Sequence, residues 1–87
     1  MSREPVAFVC SHVFQKTRPV LFVSRADGDW QLLCGDDHDE PEVPRVVGLN
    51  HLLDDDPGIK AVLDLPSGWE AERPGLEAAW ERRQIPR

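Results

Sequence analysis

The sequence predicts a small α+β domain, a mostly antiparallel sheet of three to five strands with short helices packed on one side. Short β-branched runs joined by a turn sequence fill the first third of the chain, and leucines at helical spacing follow. With 87 residues and 40% hydrophobic content, the chain is long enough for one compact core and too short for two. We therefore expect a single domain over residues 1–87, with residues 84–87 as a frayed tail.

Apolar runs predict the strands of the first half. Val6–Cys10 and Pro19–Ser24 are rich in β-branched and aromatic residues, and the first run has the pattern of a strand covered on both faces. The Asp-Gly pair at positions 27–28 supplies the positive φ angles of a tight turn, so Pro19–Ser24 and Asp29–Cys34 are predicted to form a β-hairpin. Alternate residues from Trp30 to Cys34 share one face.

In the second half, helical patterns follow a short edge strand at residues 45–47. Leucines at 49, 52 and 53 have the spacing of one helical face. Asp56 before Pro57 marks a helix start, because aspartate caps the first turn and proline lacks an N–H that the first turn would leave unpaired. Ile59, Val62 and Leu63 then repeat the helical spacing.

Two further elements are predicted near the C-terminus. The alternation in Trp69–Arg73 predicts a last strand, with Trp69 and Ala71 on one face. The helix-forming residues of Leu76–Arg83 predict a final helical turn or two that holds Trp80 against the sheet.

The charge of the chain is uneven and restricts the classes of partner. The net charge is −6, and residues 26–64 carry eleven acidic and two basic residues. Such a surface repels phosphate backbones, which argues against nucleic acid and favours a protein partner or a cation. Apolar runs are too short for a signal peptide or a membrane span, so no membrane partner is expected. Two cysteines without a secretory signal indicate the reducing cytoplasm.

The acidic loop after the hairpin is the first candidate site, because binding residues concentrate on loops held by a rigid sheet. The loop fits a docking surface for a protein partner. Its polar side chains are Asp36, Asp37, His38, Asp39, Glu40 and Glu42.

Two cysteines and two histidines form a second candidate site. Cys10, His12, Cys34 and His38 are chemically sufficient for zinc, which prefers tetrahedral thiolate and imidazole ligands. Cys10 and His12 share a face if the first strand persists, and the set converges only if the first and third strands are neighbours. The alternative is that both cysteines are ordinary core residues and that no cofactor binds.

Catalytic signatures are missing from the sequence. It contains no Gly-x-Ser-x-Gly element, no phosphate loop and no dinucleotide fingerprint, so we do not expect an enzyme.

Three segments carry a resemblance to a known family. Trp30 is followed by the Gly-Asp acidic turn of Gly35–Glu40, a Leu-rich segment spans Leu49–Pro57, and Leu63–Arg73 contains a Leu-x-x-Pro-x-Gly-Trp element. The order of these motifs resembles a family of small bacterial proteins classed as a domain of unknown function. Some members of that family are grouped with immunity proteins of polymorphic toxin systems.

The resemblance implies a mechanism for the acidic loop. An immunity-type inhibitor would dock its acidic face on a cognate toxin and block the toxin's active site, with charge steering accelerating the encounter. The sequence therefore predicts a cytoplasmic, acidic protein-binding module of this kind. A zinc-binding accessory domain remains the alternative.

Overall fold

The structure, a computed structural model, describes residues 6–35 and 45–86, which form an α+β domain. The predicted fold class is confirmed, although the sheet has six strands in this part of the chain rather than three to five. Across the sheet their order is β4-β1-β3-β2-β5-β6. The strands are β1 (Val6–Val9), β2 (Phe22–Ser24), β3 (Trp30–Leu33), β4 (Arg45–Gly48), β5 (Trp69–Glu72) and β6 (Glu81–Gln84).

The strand pairings contain the predicted hairpin and one parallel pair. β2 and β3 are antiparallel, with Phe22 opposite Leu33, and the connecting turn has Gly28 at φ 85°. β1 is antiparallel to β4, the predicted edge strand, and parallel to β3. The remaining pairings, β2 with β5 and β5 with β6, are antiparallel. The sheet is therefore mixed, with its parallel pair near one edge.

Short helices cover one face of this sheet. α1 spans Ser11–Phe14, α2 spans Leu49–Asp55, and a 3₁₀ helix spans Pro57–Val62. The predicted cap is present, because the Asp56 carboxylate accepts a hydrogen bond from the Gly58 N–H at 3.1 Å. Within residues 6–35 and 45–86, no helix is long and apolar enough to cross a membrane.

The 3₁₀ geometry changes which side chains are buried after Asp56. A 3₁₀ helix has three residues per turn, so residues spaced by three lie on one side. Ile59 and Val62 are buried as predicted, and Leu65 continues this spacing and is also buried. Leu63 was predicted to share the face by α-helical spacing, and this is wrong because Leu63 is exposed.

One hydrophobic core joins the helices to the sheet. Leu32 and Cys34 are buried on the predicted face of the hairpin, and Trp30 packs partly against them. The prediction that the first strand is covered on both faces is wrong, because Val6 is half exposed. The buried hydrophobic side chains from the strands are Ala7, Val9, Val23, Leu32 and Ala71, and those from the helices are Val13, Leu49, Leu52, Ile59 and Val62.

The prediction of a C-terminal helix over Leu76–Arg83 is wrong. Residues 81–84 form β6, in which Arg83 lies opposite Glu70 of β5. Helix propensity is a weak preference, and here backbone pairing with β5 and the ion pairs from Arg83 to both glutamates of β5 outweigh it. The predicted tail also begins inside this strand, since Gln84 belongs to β6 and the Ile85 N–H donates to the Gly68 carbonyl at 2.9 Å.

Candidate metal centre

The two cysteines meet because each one follows a strand of the parallel pair. Val9 lies opposite Leu32 in the β1–β3 register. Cys10 comes directly after Val9, and Cys34 comes two residues after Leu32. The carboxyl ends of parallel strands lie at the same edge of a sheet, so both cysteines are brought to one edge, where both are buried. The predicted condition for convergence, that the first and third strands are neighbours, is therefore met.

His12 reaches the same edge by a different route from the one predicted. The strand ends at Val9, and Cys10 keeps an extended backbone with φ −77° and ψ 169° just before α1. His12 thus lies on a helical turn and not on a continuing strand. The turn nevertheless brings the His12 ring to Cys34, with 3.6 Å between Nδ1 and the Cys34 Sγ. His12 is partly exposed, so the cluster faces solvent on this side.

The spacing of the three ligand atoms suits a tetrahedral metal ion. One ligand atom each from Cys10, His12 and Cys34 lies within 4.8 Å of the others. With Zn–S near 2.3 Å and Zn–N near 2.0–2.1 Å, a tetrahedral ion separates a nitrogen and a sulfur ligand by about 3.6 Å. The observed distance between His12 Nδ1 and Cys34 Sγ is the same, 3.6 Å. This is the one group of three such side chains in the described ranges.

The surroundings of Cys34 favour its protonated form in the absence of a cation. Burial raises the pKa of the Cys34 thiol above its usual value, and the hydrogen bond and charge interaction with Cys10 raise it further. The positive charge of Arg18 acts in the opposite direction and lowers the pKa in part. A bound cation would supply the larger positive charge that two adjacent thiolates need.

The remaining predicted site residues lie outside the described residues. His38, the fourth predicted zinc ligand, is among them, as are the other members of the acidic loop: Asp36, Asp37, Asp39, Glu40 and Glu42. The structure therefore brings together three of the four predicted zinc ligands and gives no position for the predicted docking loop.

Sequence reasoning missed two arginines that the structure makes prominent. The positive charge of Arg18 lowers the pKa of the Cys34 thiol. Arg73 is buried, and its side chain pairs with Asp56, the residue that caps the 3₁₀ helix. Arg18 lies in a polar loop, and Arg73 ends a segment whose alternation predicts only a strand, so neither local pattern indicates the role of its arginine. Only the tertiary structure identifies their partners.

Comparison of the chain with family models, with curated proteins and with solved structures finds no match in any of the three.

Proposed function

We propose that this protein is a zinc-binding domain in which Cys10, His12 and Cys34 hold the ion. The supporting observation is the 3.6 Å separation of His12 Nδ1 and Cys34 Sγ beside a second thiol, which matches tetrahedral ligand spacing. Two thiolates and a neutral imidazole form a donor set that suits a borderline-soft divalent ion. The two thiolate charges also balance the charge of Zn²⁺, which lowers the cost of burying the ion.

The location of the cluster indicates a stabilising role for the metal. Its ligands come from the end of β1 and from α1, which follow each other in the chain, and from the end of β3, which pairs with β1 in the sheet. His12 and Cys34 are 22 residues apart in sequence. An ion held by all three would join these elements, and its binding energy would add to the stability of the fold. The three ligands in the described residues account for three of the four positions of a tetrahedral zinc site.

A metal-binding assay on untagged protein tests this proposal. Metal-free, reduced protein is dialysed against Zn²⁺, and bound zinc is counted per chain by elemental analysis. We expect one zinc per wild-type chain, and loss of that zinc in Cys10→Ser, His12→Ala and Cys34→Ser. His51→Ala is the matched control, because His51 is exposed on α2 and does not belong to the cluster.

Cobalt substitution gives a second readout of the same site. Tetrahedral Co²⁺ with thiolate ligands has intense visible bands and a sulfur-to-metal charge-transfer band, so these signals report the ligands directly. We expect both in wild-type protein and a weaker charge-transfer band in each cysteine variant. Wild-type protein that is folded by circular dichroism and binds no stoichiometric zinc or cobalt would refute the metal site.

Protein docking through the acidic loop is the second proposal, supported by the charge of the chain. Residues 26–64 carry eleven acidic and two basic residues, which favours a basic partner. The immunity-type role in the cytosol is what the family resemblance implies. Binding to the protein encoded by the adjacent gene, if that protein is a toxin, should weaken with added salt. The proposal fails if replacing Asp36, Asp37, Asp39 and Glu40 by Asn and Gln leaves that binding and its salt dependence unchanged.

A further inference from the structure

The two cysteines of the cluster are adjacent to each other as well as to His12. Their sulfurs lie within the 4.8 Å that spans the cluster. A disulfide needs its two sulfurs about 2.05 Å apart and its β-carbons about 3.5–4.5 Å apart. The two sulfurs, at most 4.8 Å apart, would have to move closer together to form this bond.

The composition of the chain leaves each cysteine a single intramolecular partner. The sequence contains two cysteines, so an oxidised sulfur at one position can be resolved within the chain only by the other. Cys10 and Cys34 are both thiols in the structure and both lie in the hydrophobic core. Oxidation would therefore join the end of β1 covalently to the end of β3 without recruiting a distant residue.

We propose that Cys10 and Cys34 are a redox pair, which a hydroperoxide converts to a disulfide when the site holds no metal and which bound metal protects. The first half of this inference is independent of the proposed zinc site, and the second half rests on it. The two states exclude each other, because the metal needs both sulfurs as thiolates whereas a disulfide leaves neither available.

With hydrogen peroxide as the oxidant, two thiols and one peroxide give one disulfide and two waters. The sulfur of one cysteine attacks a peroxide oxygen, the O–O bond breaks, and the hydroxide that leaves takes the thiol proton and becomes water. The cysteine is now a sulfenic acid. The second sulfur attacks this sulfenic sulfur, the S–S bond forms as the S–O bond breaks, and the departing hydroxide takes the second thiol proton. Two electrons pass from the cysteines to the peroxide.

Mass spectrometry of peroxide-treated protein tests the pair. Metal-free protein is reduced, freed of reductant and treated with stoichiometric hydrogen peroxide. We expect the intact chain to lose two hydrogen masses, a digest to contain a Cys10–Cys34 cross-linked peptide, and dithiothreitol to restore both thiols. Cys10→Ser and Cys34→Ser should each give a sulfenic acid that dimedone traps, and no intramolecular disulfide.

Zinc protection is measured in the same assay. With free zinc at ten times its dissociation constant, we expect disulfide formation in wild-type protein to slow about tenfold, because only the metal-free fraction reacts. His12→Ala should still form the disulfide, and zinc should protect it much less. A folded metal-free protein whose thiols survive peroxide, or that oxidises only to sulfinic acid, overturns the redox pair.

The two proposals fail separately in these experiments. Disulfide formation in a protein that binds no zinc would support the redox pair and refute the metal site together with its protective role. Stoichiometric zinc binding in a protein whose metal-free form makes no disulfide would support the metal site and refute the redox pair. Equal oxidation rates with and without saturating zinc would overturn protection alone.

Discussion

The guanidinium of Arg73 lies 4.3 Å from the centroid of the Trp80 ring. The Arg73 side chain is 1% exposed, pairs with the Asp56 carboxylate, and donates to the Val20 carbonyl through Nε at 3.1 Å and through an Nη at 2.8 Å. The Trp80 indole N–H in turn donates to the Gly58 carbonyl at 3.0 Å. This set of contacts, centred on Arg73, ties the 3₁₀ helix to the C-terminal part of the sheet.

Removing the Arg73 guanidinium should strongly destabilise the protein. Arg73→Met keeps the length of the side chain but leaves Asp56 without its buried partner and the Val20 carbonyl without its donors, so we expect a loss of about 3–5 kcal/mol. Arg73→Lys should lose less, because it keeps the charge. Urea unfolding measures the free energies.

An exposed ion pair provides the control for this substitution. Lys16 and Asp55 are 3.1 Å apart, with side chains 72% and 51% exposed. Lys16→Met should change the free energy of unfolding by less than about 1 kcal/mol. Similar losses for the Lys16 and Arg73 variants would contradict the central role of Arg73.

A methyl group at Gly58 should be costly, although the backbone there does not require glycine. A Cβ at this position would lie 2.7 Å from an Arg73 Nη and 3.1 Å from an Asp56 oxygen. Both side chains are held by their ion pair, so we expect Gly58→Ala to lose about 1–3 kcal/mol. Gly75→Ala is the matched control, because nothing lies within 4 Å of a Cβ there. Unfolding curves in which both variants lose the same stability would refute the steric explanation.

Zinc should raise the melting temperature of the reduced protein if the metal proposal is right. At free zinc about one hundred times its dissociation constant, the gain is about 2.7 kcal/mol. For a domain of this size, that gain corresponds to a rise of about 10–20 °C. Differential scanning calorimetry should detect this rise in wild-type protein and in His51→Ala. The melting temperature of Cys34→Ser should not respond to zinc.

The metal-free protein should lose stability at alkaline pH because of Cys34. Burial raises the pKa of this thiol in the folded state, so the folded protein holds the thiol proton more tightly than the unfolded chain. The resulting stability is complete below the unfolded thiol pKa, about 8.5, and is lost as the pH rises through the folded pKa. The urea midpoint should therefore fall between pH 8 and pH 10 under reducing conditions.

The corresponding comparison is Cys34→Ala, which has no thiol at this position to titrate. Its urea midpoint should fall less over the same pH range than the wild-type midpoint. An equal fall in both proteins would assign the alkaline loss to other groups.

Local sequence patterns predicted the fold correctly where the structure of a segment depends on residues close to it in sequence. The Asp-Gly turn, the alternation in β3 and the Asp56 cap depend on neighbouring residues, and each appears as predicted. The segment Leu76–Arg83 failed because its helix propensity is local, whereas its structure is set by pairing with β5, which no local pattern encodes.

The candidate site shows the same division between local and long-range information. The residue types at positions 10, 12 and 34 suggested zinc ligands from the sequence, but only the parallel β1–β3 pairing brings them together. The route of His12 was predicted incorrectly, because a helical turn starting at Ser11 has no strong signal: Cys10 provides no side-chain cap for it. The residue types therefore indicated which ligands could bind zinc, whereas the positions of those ligands depended on the strand order of the sheet.

The parallel pairing of β1 with β3 also has a consequence for assembly of the protein. Side chains alternate between the two faces of a strand, so a slip of β3 by one residue would turn Cys34 away from Cys10 and His12. A metal held by these three residues would therefore bind only chains whose strands have paired in the native register. Metal binding would then stabilise only molecules with the native register. Molecules with a shifted register would gain no such stability and could unfold and refold.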